Sequence, residues 1–309
     1  SRLISGTLPE YVELEERIAE WKGSEAALIV GSGYLANAGA VAALAPRKSA
    51  IFADRLNHSS LNAGAALSGA ELHRYPHCDL AALRKMLGND ASTEKLILSD
   101  TVFSMDGDIA DVAETAKIAT DSGAALYLDD AHATGVFGTK GEGLASGLIG
   151  DDAVVMGTFS KAMGSYGAYL ACSKTMRDYF VNRCPTFVYS TALPPGAYGA
   201  ISAAVQLVQT SEYREISRKL LADSGRLAYE IRRLGFDTGG TRSPIIPVIV
   251  GASAEALRIS QKLMEKGVLV LPIRPPTVPE GSARLRISLN AAHREQDFEA
   301  LLCALKAAK

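Results

Sequence analysis

One lysine, Lys161, closes the stretch AVVMGTFSK and is followed by AMGSYG. The apolar run Ala153 to Met156 leads into Thr158 and Ser160, whose hydroxyls can contact a phosphate. Gly164 just beyond lets backbone approach a bound group. Upstream, a second apolar run, Ala124 to Leu128, ends in Asp129-Asp130-Ala131-His132. A lysine, an acid and a histidine, each just past an apolar run, are what a pyridoxal phosphate (PLP) enzyme needs. The lysine forms the Schiff base and Asp129 holds the pyridinium nitrogen protonated, which keeps the ring an electron sink. His132, three residues on, can reach the ring oxygen. Two adjacent acids also read as a metal site or a helix N-cap, and Asp130 fits a cap or a supporting group.

Three further features suit the same chemistry. His58, in ADRLNHSSL, follows a strand and turn and can stack on a flat ring. Gly33-Tyr34 opens a helix after a strand, where backbone N–H groups bind anions. With Thr158 beside it, and Thr191 of YST supplied by a second subunit, that turn reads as a phosphate cradle. Arg274 precedes Pro275-Pro276-Thr277-Val278-Pro279, a rigid run that fixes the preceding side chain, and an arginine can take a substrate carboxylate through two parallel hydrogen bonds.

These residues must be positioned by the elements around them. Helical spacing marks Glu10 to Trp21, with Gly23 as C-cap. Strand-like runs recur at 26–30, 50–53, 95–98, 124–128, 153–156 and 168–171. Helical patterns lie between most of them, at 35–44, 80–87, 111–122 and 176–183. Strands alternating with helices predict an α/β domain with a mainly parallel sheet flanked by helices. Ligands bind at the carboxyl ends of such strands. The Gly31–Tyr34 turn, Ser104, Asp129, His132 and Lys161 all fall there. A long helical pattern, 196–234, breaks near Thr210. Strand and helix patterns at 245–250, 254–266, 268–271, 284–289 and 295–306 then predict a smaller C-terminal α/β domain. The expected division is residues 1–200 and 201–309, punctuated by Pro194-Pro195.

Composition bounds the rest. At 309 residues, 48% of them hydrophobic and 21% charged, the chain can bury a large core. The formal net charge of −2 argues against a broad nucleic-acid footprint. The apolar runs fall short of the roughly 20 residues of a membrane span. Ser1-Arg2-Leu3-Ile4 does not read as a basic-then-apolar leader. Cys78, Cys172, Cys184 and Cys303 are widely spaced and make no metal-spaced pair, so reduced thiols, no metal and a cytoplasmic location are expected.

The motifs SGYLAN, ADRLNHSSL, VFSMDGD, LDDAHATGVFG, GTFSKAMGSYG, VYSTALPP and IRPPTVPEGSARLRISLNAAH together resemble the α-oxoamine synthases, a family of fold-type I PLP enzymes. The resemblance runs from about residue 5 to 309. It implies decarboxylative condensation of an amino acid with an acyl thioester, in a homodimer with a shared active site. Lys161 then forms the Schiff base and removes the Cα proton. Asp129 contacts the ring nitrogen, His132 the phenolic oxygen and His58 the ring face. Ser104 lies near the ring oxygen, Gly33, Tyr34, Thr158 and a partner's Thr191 attend the phosphate or ring, and Arg274 takes the carboxylate. VFSMDGD with DDAH and IRPPTVP is most similar to the branch using L-alanine and pimeloyl-CoA or a pimeloyl carrier protein. Glycine with acetyl- or succinyl-CoA is the sister reading, and a non-catalytic PLP-fold subunit is the rival of another class. Members carry a further N-terminal segment that helps bind the acyl substrate, preceding the loop in which Ser1 falls. Where they commonly have a histidine after that loop, this chain has Tyr11.

Overall fold

Short runs of Val, Ile, Leu and Ala, bounded by Gly, Pro or charge, become strands buried on both faces. The computed structural model describes residues 1–309. Its chain forms two compact units, Ser1–Val102 with Ala110–Arg214, and Phe103–Ile109 with Glu215–Lys309. The sequence divides them at 200/201; the structure does so after Arg214. Pro194-Pro195 opens a helix instead of marking a border, because a proline at the first helical position loses no helical hydrogen bond.

The first unit runs α1 (Pro9–Lys22), β1 (Ala26–Val30), α2 (Gly33–Leu44), β2 (Ala50–Asp54), α3 (Ser59–Ser68), β3 (Glu71–Tyr75), α4 (Leu80–Asn89) and β4 (Lys95–Asp100). It continues with α5 (Val112–Ser122), β5 (Ala125–Asp129), β6 (Ala153–Thr158), β7 (Ala168–Cys172), α6 (Lys174–Arg183), α7 (Pro185–Val188) and α8 (Pro195–Val208). Helix α9 (Ser211–Arg233) starts here and continues into the second unit, after the expected break near Thr210. The sheet order is β1-β7-β6-β5-β4-β2-β3. β3, β2, β4, β5 and β6 are parallel neighbours, while β7 is antiparallel to both β6 and β1. β1, β2, β6 and β7 are buried along their whole length, as expected for strands covered on both faces.

Register aligns the strand ends. Val30 pairs with Ala168 and Ala168 with Thr158, while Met156 pairs with Asp129 and Asp129 with Asp100. The turn after β1 and the loops after β4, β5 and β6 therefore emerge along one edge. Helix α2, GYLANAGAVAAL, lies close to its neighbours because its residues are small. A Cβ on Gly39 would strike Thr186 Oγ1 and Cys184 Sγ. Elements α3 and β3 carry little apolar periodicity, which is why the sequence did not announce them. β3 is an edge strand with a mostly open face.

The second unit holds a three-stranded antiparallel sheet, ordered β8 (Ile245–Gly251), β10 (Ala283–Ser288), β9 (Leu271–Ile273), with α10 (Ser253–Glu265) and α11 (Glu295–Ala308). The strand expected at 268–271 forms later, at Leu271–Ile273. Ile246, Val248, Leu263, Leu285 and Leu305 form its fully buried core, each contributing about 1.5–3 kcal/mol by leaving water. The segment Phe103–Ile109 of VFSMDGD belongs to this unit. Asp106 pairs with Arg284, and a Cβ on Gly107 (φ 70°) would strike the Ile245 carbonyl oxygen. No helix in the chain is long and apolar enough to cross a membrane.

Candidate active site

Asp129 ends β5, the central strand, and is 5% exposed. Its Oδ1 accepts the Ala131 N–H at 2.9 Å and its Oδ2 accepts Asn37 Nδ2 at 2.7 Å. The second hydrogen of Asn37 Nδ2 goes to Ser60 Oγ at 2.8 Å, and Tyr127 OH donates to Asn37 Oδ1 at 2.9 Å. Ser60 Oγ lies 2.7 Å from His58 Nδ1, which also accepts the Ser60 N–H as the cap of α3. Because Nδ1 already accepts, the hydroxyl donates to it, and the ring proton sits on Nε2. A directed chain thus runs from Tyr127 through Asn37 and Ser60 to His58, with a branch to Asp129.

Charge follows the same geometry. Burial lowers the His58 pKa; the Asp129 carboxylate opposes this and the Lys161 ammonium reinforces it. The imidazole is therefore neutral near pH 7. Asp100, which ends β4 and accepts the His58 backbone N–H at 2.8 Å, is pushed well above the usual carboxylate range. Burial is the main cause, the Asp129 charge adds to it, and Lys161 pulls the other way. Lys161 thus acts on both His58 and Asp100, and these four residues share one electrostatic neighbourhood.

The loops around Lys161 are tightly held. Thr158 Oγ1 donates to the Gly167 carbonyl at 3.0 Å and accepts the Ser160 N–H at 3.3 Å. Gly164 N–H closes a turn on the Lys161 carbonyl, and Tyr213 OH donates to the Ala162 carbonyl at 3.1 Å. His132, half-buried, sits in the turn ending at Gly135, whose φ of 82° a side chain would resist. A Cβ there would come 3.1 Å from Ala162 Cβ, so the His132 turn lies directly against the Lys161 loop. Arg214 Nη2 donates to the Gly135 carbonyl at 2.8 Å from the other side.

Gly33 begins α2, with Ser32 Oγ accepting the Leu35 N–H at 3.2 Å. A Cβ on Gly33 would lie 3.7 Å from Thr158 Oγ1, so the helix N-terminus stands beside the Thr158–Ser160 hydroxyls. Tyr34, Ser160 and Lys161 are exposed. Thr191 is exposed too and lines a small pocket with Gly31 and Ala192. Tyr11 is buried and donates its hydroxyl to the Leu193 carbonyl at 2.6 Å.

Two residues named from the sequence belong to the second unit. Ser104 gives its carbonyl to Arg286 Nε, and Arg274 is exposed at the end of β9, its carbonyl accepting Thr277 N–H at 3.0 Å. Asp130 is a supporting group, with Oδ2 3.1 Å from Lys22 Nζ and Oδ1 accepting Thr101 Oγ1 and Leu144 N–H. The sequence reading missed Lys22, Asn37, Ser60 and Asp100. An asparagine inside an alanine-rich helix was the available signal for Asn37, since it disfavours helix unless its amide is used. Lys22 looked like an ordinary last-turn cation before a C-cap.

The donor set suits PLP. It offers a lysine amine, a buried carboxylate held by two N–H donors, a neutral imidazole of fixed tautomer, and a helix N-terminus beside two hydroxyls. Comparisons agree with it. Residues 1–305 match the family model described as aminotransferase class I and II. The chain is 46% identical over 302 residues to an 8-amino-7-oxononanoate synthase from Citrifermentans bemidjiense, covering 97% of this chain and 78% of that one. It is 47% identical over 309 residues to the enzyme of the same name from Anaeromyxobacter dehalogenans, covering 99% and 77%. Among solved structures, a serine palmitoyltransferase from S. paucimobilis with a bound PLP-myriocin aldimine superposes with a TM-score of 0.93 at 29% identity, covering 100% of this chain and 78% of that one.

Proposed function

This chain belongs to the aminotransferase class I and II family, and from that premise we propose that it condenses L-alanine with a pimeloyl thioester, releasing CO2, the free thiol of CoA or of a carrier protein, and 8-amino-7-oxononanoate, a step of biotin biosynthesis. It is a PLP-dependent acyltransferase of fold type I. The observation that carries this reading is its continuous likeness to 8-amino-7-oxononanoate synthases over 97% of its length. In this reading the enzyme works as a cytoplasmic homodimer.

When bound, PLP supplies an aldehyde for amine chemistry and a conjugated ring that spreads carbanion charge. The chain supplies the rest. The Gly33–Tyr34 amides, at the positive end of α2, would bind the phosphate with the Thr158–Ser160 loop. Thr191 from a second copy would complete that cradle. Asp129 would hold a proton on the ring nitrogen, and the network from Asn37 keeps its carboxylate aimed. His58, neutral and with Nε2 protonated, offers a flat face for stacking. His132 and Ser104 would attend the ring oxygen. Arg274 would bind the alanine carboxylate in two parallel hydrogen bonds. The Lys161 amine would then move the proton from the alanine Cα, a general-base step worth about 10²–10⁴-fold.

Lys161→Ala tests the assignment. It should remove the visible absorbance of lysine-linked PLP and the consumption of alanine with pimeloyl-CoA. A variant that retained both would sink the role of Lys161. A wild-type protein that used glycine with acetyl-CoA and ignored alanine would replace the substrate assignment with its sister.

A further inference from the structure

We propose that Asp54, His77 and Cys78 form a binding site for a divalent metal ion of the zinc class, separate from the chemistry of Lys161. Asp54 ends β2, and His77-Cys78 follow β3, its parallel neighbour at the sheet edge. The three residues offer a carboxylate, an imidazole and a thiol whose ligand atoms lie within 4.8 Å of one another. This donor mixture suits zinc or cobalt rather than magnesium or calcium, which take oxygen ligands.

The geometry assigns each residue a part. Asp54 is 1% exposed, and its carboxylate is fully used. Oδ1 accepts the Leu56 N–H at 2.8 Å, Oδ2 accepts the Cys78 N–H at 2.7 Å, and His77 Nδ1 lies 3.0 and 3.2 Å from the two oxygens. The carboxylate thus holds a proton on His77 Nδ1 and leaves Nε2 on the side of Cys78. A metal-binding histidine is usually oriented by a carboxylate in this way. His77 Nε2 lies 3.8 Å from Cys78 Sγ. Two ligands sharing one zinc, at about 2.0–2.1 Å for nitrogen and 2.3 Å for sulfur, stand roughly 3.6–3.8 Å apart across tetrahedral to trigonal angles. The pair is therefore set to chelate one ion, with Asp54 behind it and water in the remaining positions.

One further observation supports an ion at this place. Cys78 is the one non-glycine residue with left-handed backbone, φ 54°, held there by its N–H to Asp54. That conformation points an exposed thiol at the histidine beside it. The ion would clip together the loops after β2 and β3.

Cobalt(II) is the probe, because a cobalt–thiolate bond has a charge-transfer absorption that nitrogen and oxygen ligands do not give. The tag-free, PLP-loaded full chain is titrated with cobalt, subtracting its metal-free spectrum, and zinc is then added. The expected result is one equivalent of cobalt with the thiolate band, displaced by zinc. C78S should lose the band, C303S, altering the other exposed cysteine, should keep it, and D54N should weaken binding about 10- to 100-fold. Absence of the band in the wild type, its survival in C78S, or its loss in C303S overturns the site. C78S is nearly isosteric at an exposed position, so its folding does not confound the result.

Discussion

Asp129 and Asp130 are sequence neighbours, both buried, yet they face different halves of the first unit. Asp129 meets Asn37 from α2 and, through Asn37 and Ser60, His58 at the start of α3. Asp130 meets Lys22 from the end of α1, itself fully buried between the rings of Trp21 and Tyr169. The first side is a set of neutral donors around one carboxylate, with the Lys161 ammonium in range. The second is a closed ion pair, completed by Thr101, Leu144 and the Glu142 carbonyl, which takes a hydrogen bond from Lys22. One acid is held among neutral donors, and the other is spent on holding α1 to the end of β5.

That contrast can be broken from either side. The largest effect is expected from Asp129→Asn, which should lower kcat/KM about 10²–10⁴-fold while leaving the unfolding free energy from urea titration within about 1 kcal/mol of wild type. A comparable loss in Asp130→Asn would erase the distinction. Next comes Lys22→Met. It leaves the Asp130 charge buried without its partner and should cost about 3–5 kcal/mol in denaturant titration, with kcat of the folded fraction changed only a few-fold. Asn37→Ala should come third, losing about 1–3 kcal/mol and lowering activity on the Asp129 side, because Asp129 and Ser60 both lose a donor. Tyr127→Phe, which only frees Asn37 Oδ1, should cost about 1 kcal/mol and leave kcat/KM close to wild type.

The smallest effect is on pH dependence. The folded His58 pKa lies below its unfolded value of 6.5, chiefly through burial. Between the two values the unfolded chain binds more protons than the folded one, so stability rises with pH in that window and is lost as pH falls through it. His58→Gln should flatten the slope of stability just below pH 6.5. An unchanged slope would assign it to another group.

The parallel core was legible in the chain because β2, β4, β5 and β6 are uninterrupted apolar runs separated by helical patterns. Lys161, Asp129, His132 and Gly33 stood out as candidates because each follows such a run. Asn37, Ser60 and Lys22 were not, since a polar residue in a helix says nothing of its partner until another element is laid across it. The edge strand β3 and the small-residue helix α3 lacked the periodicity that marks elements. VFSMDGD was read as a motif at a strand end, and the structure gives it a packing role in the second unit, through Asp106 and Gly107.

The sequence by itself determined which residue types could do PLP chemistry and that each would leave the sheet at a strand end, because hydrophobic runs and the residues that stop them are local. Which partners each of the two adjacent acids would meet was decided only by tertiary structure. Successive strand residues point to opposite faces, and the element that covers each face, α2 for Asp129 and the end of α1 for Asp130, is fixed by the packing of distant segments.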